Sequence, residues 1–333
     1  PGNWYTRRTV NLYVTGVEGW DVSSVTDMDY LFYREGTRYV RGTLDLSSWD
    51  TRGATHSYMF GSDALATLET LRLGQNTVLI DTDLSHANAG YWMAGTDGRF
   101  VGTLLRTATL KYFYPKVGTD NGTISWTWVA DDSTEVTDAK ALVASQGKSG
   151  CFDSNPNVWW KLDDDGNLTI GAFDAAKSTF VTDAGGARPW NAKIANVKTF
   201  SVDYSASDSW SMIRPYTMNS WLSGAFNLTT FDGSGIDTTL AIDLSGMFYN
   251  DAKLVDFVNT GHWNTERVTN FSNMFYGCTG LSTIDLAQWD MIDSTVTNMF
   301  SGASNLKTIT VGEKNILAST AMTHTGVGTW LID

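Results

Sequence analysis

Apolar residue pairs recur at a nearly constant interval along the chain. In the second half they are spaced by 26, 27 and 25 residues, as Trp221-Leu222, Met247-Phe248, Met274-Phe275 and Met299-Phe300. Near the N-terminus a spacing of 28 residues separates Leu31-Phe32 from Met59-Phe60. A period of this length predicts stacked repeats, each of them one supersecondary unit packed on the last.

The apolar positions within one repeat predict two elements. Between Val268 and Phe275 the apolar side chains fall at 268, 271, 274 and 275, which is helical spacing. Residues 281–286 alternate apolar and polar side chains, as a half-buried strand does. The pattern predicts an α/β repeat solenoid: a leucine-rich-repeat-like coil with one short strand and one short helix or 3-10 turn per repeat, plus antiparallel β caps.

Tryptophan recurs in the repeats beside a short polar residue, as in Trp20-Asp21, Trp49-Asp50, Trp263-Asn264 and Trp289-Asp290. In the register of a leucine-rich-repeat strand, these tryptophans fall where such repeats place an inward asparagine. We therefore expect them to stack inside the coil as a ladder.

A larger duplication overlies the repeats. Residues 70–92 align without gaps to residues 308–330, with identities that include Gly74/Gly312, Thr82/Thr320 and His86/His324. We expect residues 1–129 to be the C-terminal part of a first module with a closing β cap, and residues 130–150 to be a polar linker. Residues 151–333 would form the second module, with a β-hairpin cap over 151–205 and repeats over 206–333.

Charge and cysteine content narrow the function classes. The net charge of −13 disfavours binding to nucleic acid and direct insertion into a membrane. The only cysteines, Cys151 and Cys278, have no zinc-site spacing, and the sequence leaves open whether they form a disulfide.

Longer motifs resemble a known family. Residues 20–32 read Trp-Asp-Val-Ser-Ser-Val-Thr-Asp-Met-Asp-Tyr-Leu-Phe, and residues 268–286 carry Val-Thr-Asn, Asn-Met-Phe, Gly-Cys and Ile-Asp-Leu in that order. These segments resemble the BspA-like leucine-rich-repeat proteins of bacterial surfaces. The resemblance implies an extracellular protein, attached to the cell wall in its full-length form, that contacts host extracellular matrix proteins, mucins or other cell-surface macromolecules. It implies no catalytic residue.

Candidate chemical motifs have structural explanations. Asp163-Asp164-Asp165-Gly166-Asn167 has the oxygen ligands of a Ca²⁺ loop but lacks the glutamate of an EF-hand, and a hairpin turn accounts for the same residues. No Gly-x-Ser-x-Gly nucleophile motif is present. We therefore expect no enzyme activity, no cofactor and no metal.

Two surfaces are candidates for binding. The first is the polar strand face, represented by Asp45, Ser47, Ser48, Asp285 and Gln288; the second consists of cap tryptophans Trp126, Trp128 and Trp160. Repeat surfaces of this kind typically bind proteins. The expected function is a non-catalytic adhesin; the alternatives are a carbohydrate-binding module that uses the cap tryptophans, and a passive stalk or spacer.

Overall fold

The computed structural model describes residues 10–32, 38–61, 65, 67–79, 82–95, 104–107, 110, 123–152, 154–174, 178–180, 188–203 and 212–322. The chain divides into two compact units, which we call unit 1 (Pro1–Asp138) and unit 2 (Ala139–Asp333). His324 and Trp330, which belong to the duplicated segment, lie outside the described residues.

Unit 1 combines parallel repeat strands with an antiparallel closing strand. Its strands are β1 (Val10–Leu12), β2 (Arg38–Val40), β3 (Thr43–Leu46), β4 (Thr70–Leu73), β5 (Gly90–Ala94), β6 (Leu104–Leu105) and β7 (Ile124–Ala130), with a 3-10 helix at Val17–Gly19. β1 pairs with β2, and a five-stranded sheet has the order β3-β4-β7-β5-β6. β3 and β4 are parallel, whereas β7 is antiparallel to both β4 and β5.

Within the part of the chain that the structure describes, one longer helix, α1 (Thr134–Ser145), spans the sequence boundary between the two units and lies in the segment that the sequence predicts as a linker. Among the described residues, no helix is both long and apolar enough to cross a membrane.

Unit 2 begins with a hairpin and continues as stacked parallel strands. Its strands are β8 (Gly150–Phe152), β9 (Asn155–Leu162), β10 (Asn167–Ala172), β11 (Thr179–Phe180), β12 (Thr199–Val202), β13 (Arg214–Pro215), β14 (Thr230–Asp232), β15 (Asp256–Val258), β16 (Thr283–Asp285) and β17 (Thr308–Thr310), with a 3-10 helix at Asn191–Asn196. The largest sheet has the order β15-β14-β12-β10-β9-β8, while β11 pairs with β13 and β16 with β17. The predicted hairpin is confirmed, because β9 and β10 are antiparallel and Leu162 faces Leu168.

The predicted α/β repeat solenoid, with a short helix or 3-10 turn in each repeat, is wrong, and the protein is mainly β. In the segment from Phe271 to Gly277, Asn273 and Gly277 have positive φ angles of 57° and 71°, which interrupt a right-handed helix. The backbone N–H groups of Phe271, Asn273, Phe275 and Gly277 donate to carbonyls of the next repeat, at Thr295, Thr297, Met299 and Ser301. The apolar spacing looked helical because successive three-residue turns place side chains inward at similar intervals.

Buried aromatic ladders run through the repeats. Phe248, Phe275 and Phe300 stack in sequence with ring centroids 5.4 and 5.6 Å apart. Trp263 and Trp289 stack at 5.7 Å, and each is 1% exposed, so the predicted inward ladder is confirmed there. Each ring therefore packs mainly on its equivalent in the next repeat. The predicted inward ladder is wrong for Trp20, which stacks on the buried Trp49 at 6.1 Å but is itself 56% exposed.

The duplicated residues make the same contacts in both units. A Cβ atom at Gly74 would lie 2.1 Å from the carbonyl oxygen of Ser47, and one at Gly312 would lie 2.1 Å from that of Ala287. Thr82 and Thr320 likewise donate their hydroxyls to the carbonyls of Leu79 and Leu317. The paired glycines mark the place where the backbones of neighbouring repeats approach most closely.

One carboxylate lies inside the core of unit 2. Asp251 is fully buried. Burial raises its pKa to about 8, and the backbone N–H of Ala225 and the charge of Arg188 oppose this shift only in part. Arg188 also donates to the carbonyls of Trp221 and Ser223. Cys278 is buried nearby and donates its thiol to the carbonyl of Phe248; no disulfide joins it to Cys151.

Replacing Gly312 by alanine should destabilise unit 2, because the new methyl group would overlap the Ala287 carbonyl. We expect a loss of about 1–3 kcal/mol in the free energy of unfolding, as for other overpacked sites. Gly261→Ala is the matched control, since no atom lies within 4 Å of a Cβ there. The midpoint of thermal unfolding should be lower for Gly312→Ala than for Gly261→Ala. Equal midpoints would show that the backbone at Gly312 has room for a methyl group.

Replacing Asp251 by asparagine should change how stability depends on pH. Between about pH 4 and pH 8 the folded state keeps the Asp251 proton that the unfolded state has lost, so this group makes the wild type less stable as pH rises. Asp251→Asn removes that loss, and its stability advantage should grow by up to about 1.4 kcal/mol per pH unit. Denaturant titrations from pH 5 to pH 8 measure the difference in the free energy of unfolding between Asp251→Asn and the wild type. The exposed Asp164→Asn change is the control, and a constant difference between Asp251→Asn and wild type would refute the assignment.

Candidate functional site

The corners of the repeats are closed by short polar side chains. In each corner an Asp or Asn side-chain oxygen accepts a hydrogen bond from the backbone N–H two residues later, a local turn that these residues favour. The residues in this role are Asp45, Asp232 and Asp285 at strand ends, Asp21, Asp50, Asp237, Asn264 and Asp290 at the following corner, and Asp27, Asp243 and Asn270 before the apolar pairs. Much of the acidity of the chain thus has a structural use.

The predicted strand-face residues occur in both units and are already partly bonded. In unit 1, Asp45 accepts from the backbone N–H of Ser47 and forms a 2.6 Å ion pair with Arg72. Ser48 donates its hydroxyl to the Glu18 carbonyl. In unit 2, Asp285 accepts from the backbone N–H of Ala287 at 2.9 Å. Gln288 is exposed and lines the groove described below.

The predicted cap tryptophans differ in accessibility. Trp126 is fully buried in β7, and Trp160 is 8% exposed in β9, with its ring edge-on to Trp190. Trp128 is half-buried and stacks on His86 with ring centroids 3.6 Å apart. Of these three, Trp128 has the most surface available for a ligand.

A groove of about 670 Å³ in unit 2, which we call the corner groove, runs across three successive repeats. It is lined by residues 261–266, residues 287–290, Glu313 and Lys314. The corners beneath it are bonded to each other, because Thr265 donates its hydroxyl to the Asp290 carbonyl and accepts from the Asp290 N–H. The groove is therefore built on fixed backbone rather than on a long loop.

The corner groove carries excess negative charge. Asp290 pairs with Lys314 at 2.6 Å, and this contact lowers the pKa of Asp290 and raises that of Lys314. Glu266 and Glu313 are exposed and lie beyond ion-pair distance of any lysine or arginine in the described ranges. The charge of Glu266 also acts on Lys314, so the groove holds three carboxylates, Glu266, Asp290 and Glu313, against one lysine.

The corner groove also has an indole N–H group, that of Trp289, with no hydrogen-bond partner among the described residues. The indole of Trp49 donates to the Val17 carbonyl at 2.7 Å, and that of Trp263 donates to the Gly233 carbonyl at 3.3 Å. The equivalent Nε1 of Trp289 is buried and has no partner within the described part of the chain. Because Trp289 lines the corner groove, this donor is a candidate contact for a bound acceptor.

A second cavity, of about 520 Å³, lies in unit 1. We call it the His86 pocket; its lining residues are Arg41, Thr67, Leu68, Glu69, His86, Asn88, Thr127 and Trp128. His86 Nδ1 accepts from the backbone N–H of Asn88 at 3.2 Å, and burial lowers the pKa of the imidazole. The ring stacked on Trp128 is therefore uncharged at neutral pH.

The acidic hairpin turn is satisfied by its own chain. Asp163 accepts from the backbone N–H groups of Asp165 and Asn167 and from the Asn167 side chain, and these bonds lower the pKa of Asp163. Across the described ranges, no three His, Cys, Asp or Glu side chains come together in a way that could hold a metal ion.

Several site residues were missed in the sequence. Glu266 follows Asn264 by two positions, and Glu313 follows Gly312, so aligning the corners of successive repeats could have found the groove. Arg41, Thr67 and Glu69 carry no such signal, because the pocket forms only when β7 closes against β4.

Comparison with known proteins gives one match. A family model described as "Mycoplasma protein of unknown function, DUF285" matches residues 6–69 and 190–324, which together make up more than half of the chain. No curated protein and no solved structure matches the chain. The whole corner groove lies within the second matched segment.

The expected relationship to BspA-like leucine-rich-repeat proteins is wrong, because the matching family is a different one. The leucine-rich-repeat assignment fails with it, since the repeats lack the expected helix. The short phrases that carried the resemblance are those that close the corners and fill the interior of any repeat built this way.

Proposed function

Because the chain belongs to the family described as "Mycoplasma protein of unknown function, DUF285", a description that names no activity, we propose its function from the corner groove itself. The protein is a non-catalytic binding protein, and the corner groove holds an extended, basic segment of a partner protein. The observation that supports this proposal is the excess of carboxylates over lysines, to which the exposed Glu266 and Glu313 contribute, in a groove that spans three repeats.

Charge favours a cationic partner. Glu266 and Glu313 lie in a protein whose net charge is −13, so both the local and the long-range fields attract lysine and arginine side chains. Lys314 already pairs with Asp290, so a second cation would meet the two glutamates rather than Asp290.

The groove also suits a peptide backbone. The orphaned N–H of Trp289 can donate to a peptide carbonyl, which would satisfy a buried donor that now has no partner. Asn264 and Gln288 add exposed amides on neighbouring repeats. An extended segment advances about 3.3 Å per residue, so a short peptide can contact successive corners without folding.

Repetition would strengthen weak contacts. Solenoid-type surfaces bind along their length, and several weak contacts on one partner raise the effective concentration of each. The wall-attached location and the matrix or mucin partners were implied only by the family resemblance that proved wrong. The proposal therefore names its partner by charge and extended shape alone.

A fluorescent peptide of alternating lysine and glycine tests the proposal. We expect it to bind the protein, whereas a peptide of alternating glutamate and glycine should not. The double change Glu266→Gln, Glu313→Gln should weaken binding roughly tenfold, because each charge-assisted contact contributes about 1.5–3 kcal/mol when shielded and less when exposed. Fluorescence anisotropy at low and moderate salt measures both the affinity and its screening.

The matched control is Asp164→Asn, Asp165→Asn, which removes the same charge from exposed positions at the tip of the β9–β10 hairpin. This variant should bind like the wild type. An equal loss in both double variants would mean that net charge alone attracts the peptide, and no binding by the wild type would favour the passive spacer.

A further inference from the structure

Three buried hydrogen-bonding atoms without partners border one cavity in unit 1. They are Nε of Arg41, Oγ1 of Thr67 and Nε1 of Trp128, and all three residues line the His86 pocket. A buried polar atom that bonds to nothing is costly, and native proteins tolerate few of them. Their concentration around one cavity indicates a site whose hydrogen bonds are completed by an occupant.

We propose that the His86 pocket binds an acidic sugar, meaning a hydroxylated ring that carries a carboxylate. Two of the orphaned atoms, on Arg41 and Trp128, can only donate, and the hydroxyl of Thr67 can donate or accept. The occupant must therefore be rich in acceptors. A guanidinium group matches a carboxylate in both charge and geometry, since its N–H groups form a planar fork.

The aromatic residues provide a surface for a ring. The Trp128 indole is half-buried, and His86 stacks on it with an interplanar angle of 16°. Trp92 meets the same indole edge-on at 5.1 Å, which fixes its orientation. Because the imidazole is uncharged at neutral pH, this stack is an apolar platform against which the C–H face of a sugar ring can pack.

The remaining polar residues select hydroxyl groups over a simple inorganic anion. Glu69 lines the pocket and can accept hydrogen bonds from ring hydroxyls, and its charge repels a phosphate dianion more strongly than the single charge of a carboxylate. Asn88 and Thr127 offer further polar groups at the edge. The volume of about 520 Å³ falls in the range of small-molecule sites and exceeds what a bare anion fills.

This site is independent of the corner groove. It lies in unit 1, shares no residue with the groove, and takes His86, Asn88, Thr127 and Trp128 from outside the segments that match the family. Loss of basic-peptide binding would not affect it, and loss of sugar binding would not affect the groove.

Isothermal titration calorimetry on the full chain tests the pocket with D-glucuronate and D-galacturonate, each compared with its uncharged parent sugar. Acetate and inorganic phosphate serve as anions without a sugar ring. We expect both uronates to bind at least roughly tenfold more tightly than glucose, galactose, acetate or phosphate, because only they use the cation and the ring platform together. These comparisons use the wild type alone and need no variant to fold.

Variants then locate the site. Arg41→Gln should remove the preference for the uronates over their neutral parents. Trp128→Phe, which keeps a ring but removes the N–H, should weaken all the sugars. The matched control is Arg72→Gln, since Arg72 is an arginine of β4 that pairs with Asp45 outside the pocket, and this variant should bind like the wild type.

Three outcomes would overturn the proposal: no binding of either uronate, equal binding of uronates and phosphate, or an unchanged uronate preference in a folded Arg41→Gln variant. Thermal unfolding establishes whether each variant is folded. If Arg41→Gln does not fold, Thr67→Val provides the test, because it removes a different orphaned atom and should weaken uronate binding.

Discussion

Each repeat is bonded to the equivalent residues of the next, and the rest of the structure depends on this stacking. Alternate backbone N–H groups of one apolar-pair segment donate to the following one, and the rings of Phe248, Phe275 and Phe300 lie over one another inside. A ring contact of this kind contributes about 0.5–1.5 kcal/mol beyond the area it buries. The side chains at inward positions must therefore keep their size and shape. Corner residues with a positive φ angle favour Gly or Asn.

Outward positions are free of that constraint, and there the protein can vary its chemistry. The carboxylates that close corners are fixed by the backbone they bond, whereas the side chains of Glu266 and Glu313 are exposed and close no corner among the described residues. The His86 pocket arises differently, where β7 ends the parallel stack and brings a tryptophan beside His86. A regular stack thus offers charged grooves along its length and an irregular cavity where it is closed.

The sequence was sufficient for features that repeat and insufficient for those that do not. The period, the Trp263–Trp289 ladder and the β9–β10 hairpin follow from residue spacing and turn chemistry. The helix was mistaken because inward turns and a helix share similar apolar spacing, and the positive φ angles of Asn273 and Gly277 and the hydrogen bonds to the next repeat separate them. The family was mistaken because the resemblance rested on short phrases made largely of the residues that close the corners and fill the interior of the repeats. The pocket was missed because Arg41 and Trp128 are distant in sequence.

In the proposed function, successive corners of unit 2 form one binding surface for an extended basic segment. Backbone amide hydrogen exchange, with and without a saturating lysine-glycine peptide, tests it most directly because it locates the bound surface residue by residue. Slower exchange confined to residues 261–266, 287–290 and 313–314 is the predicted result. Protection on the strand face around β14 and β15, or protection spread evenly over acidic surfaces, would contradict the account.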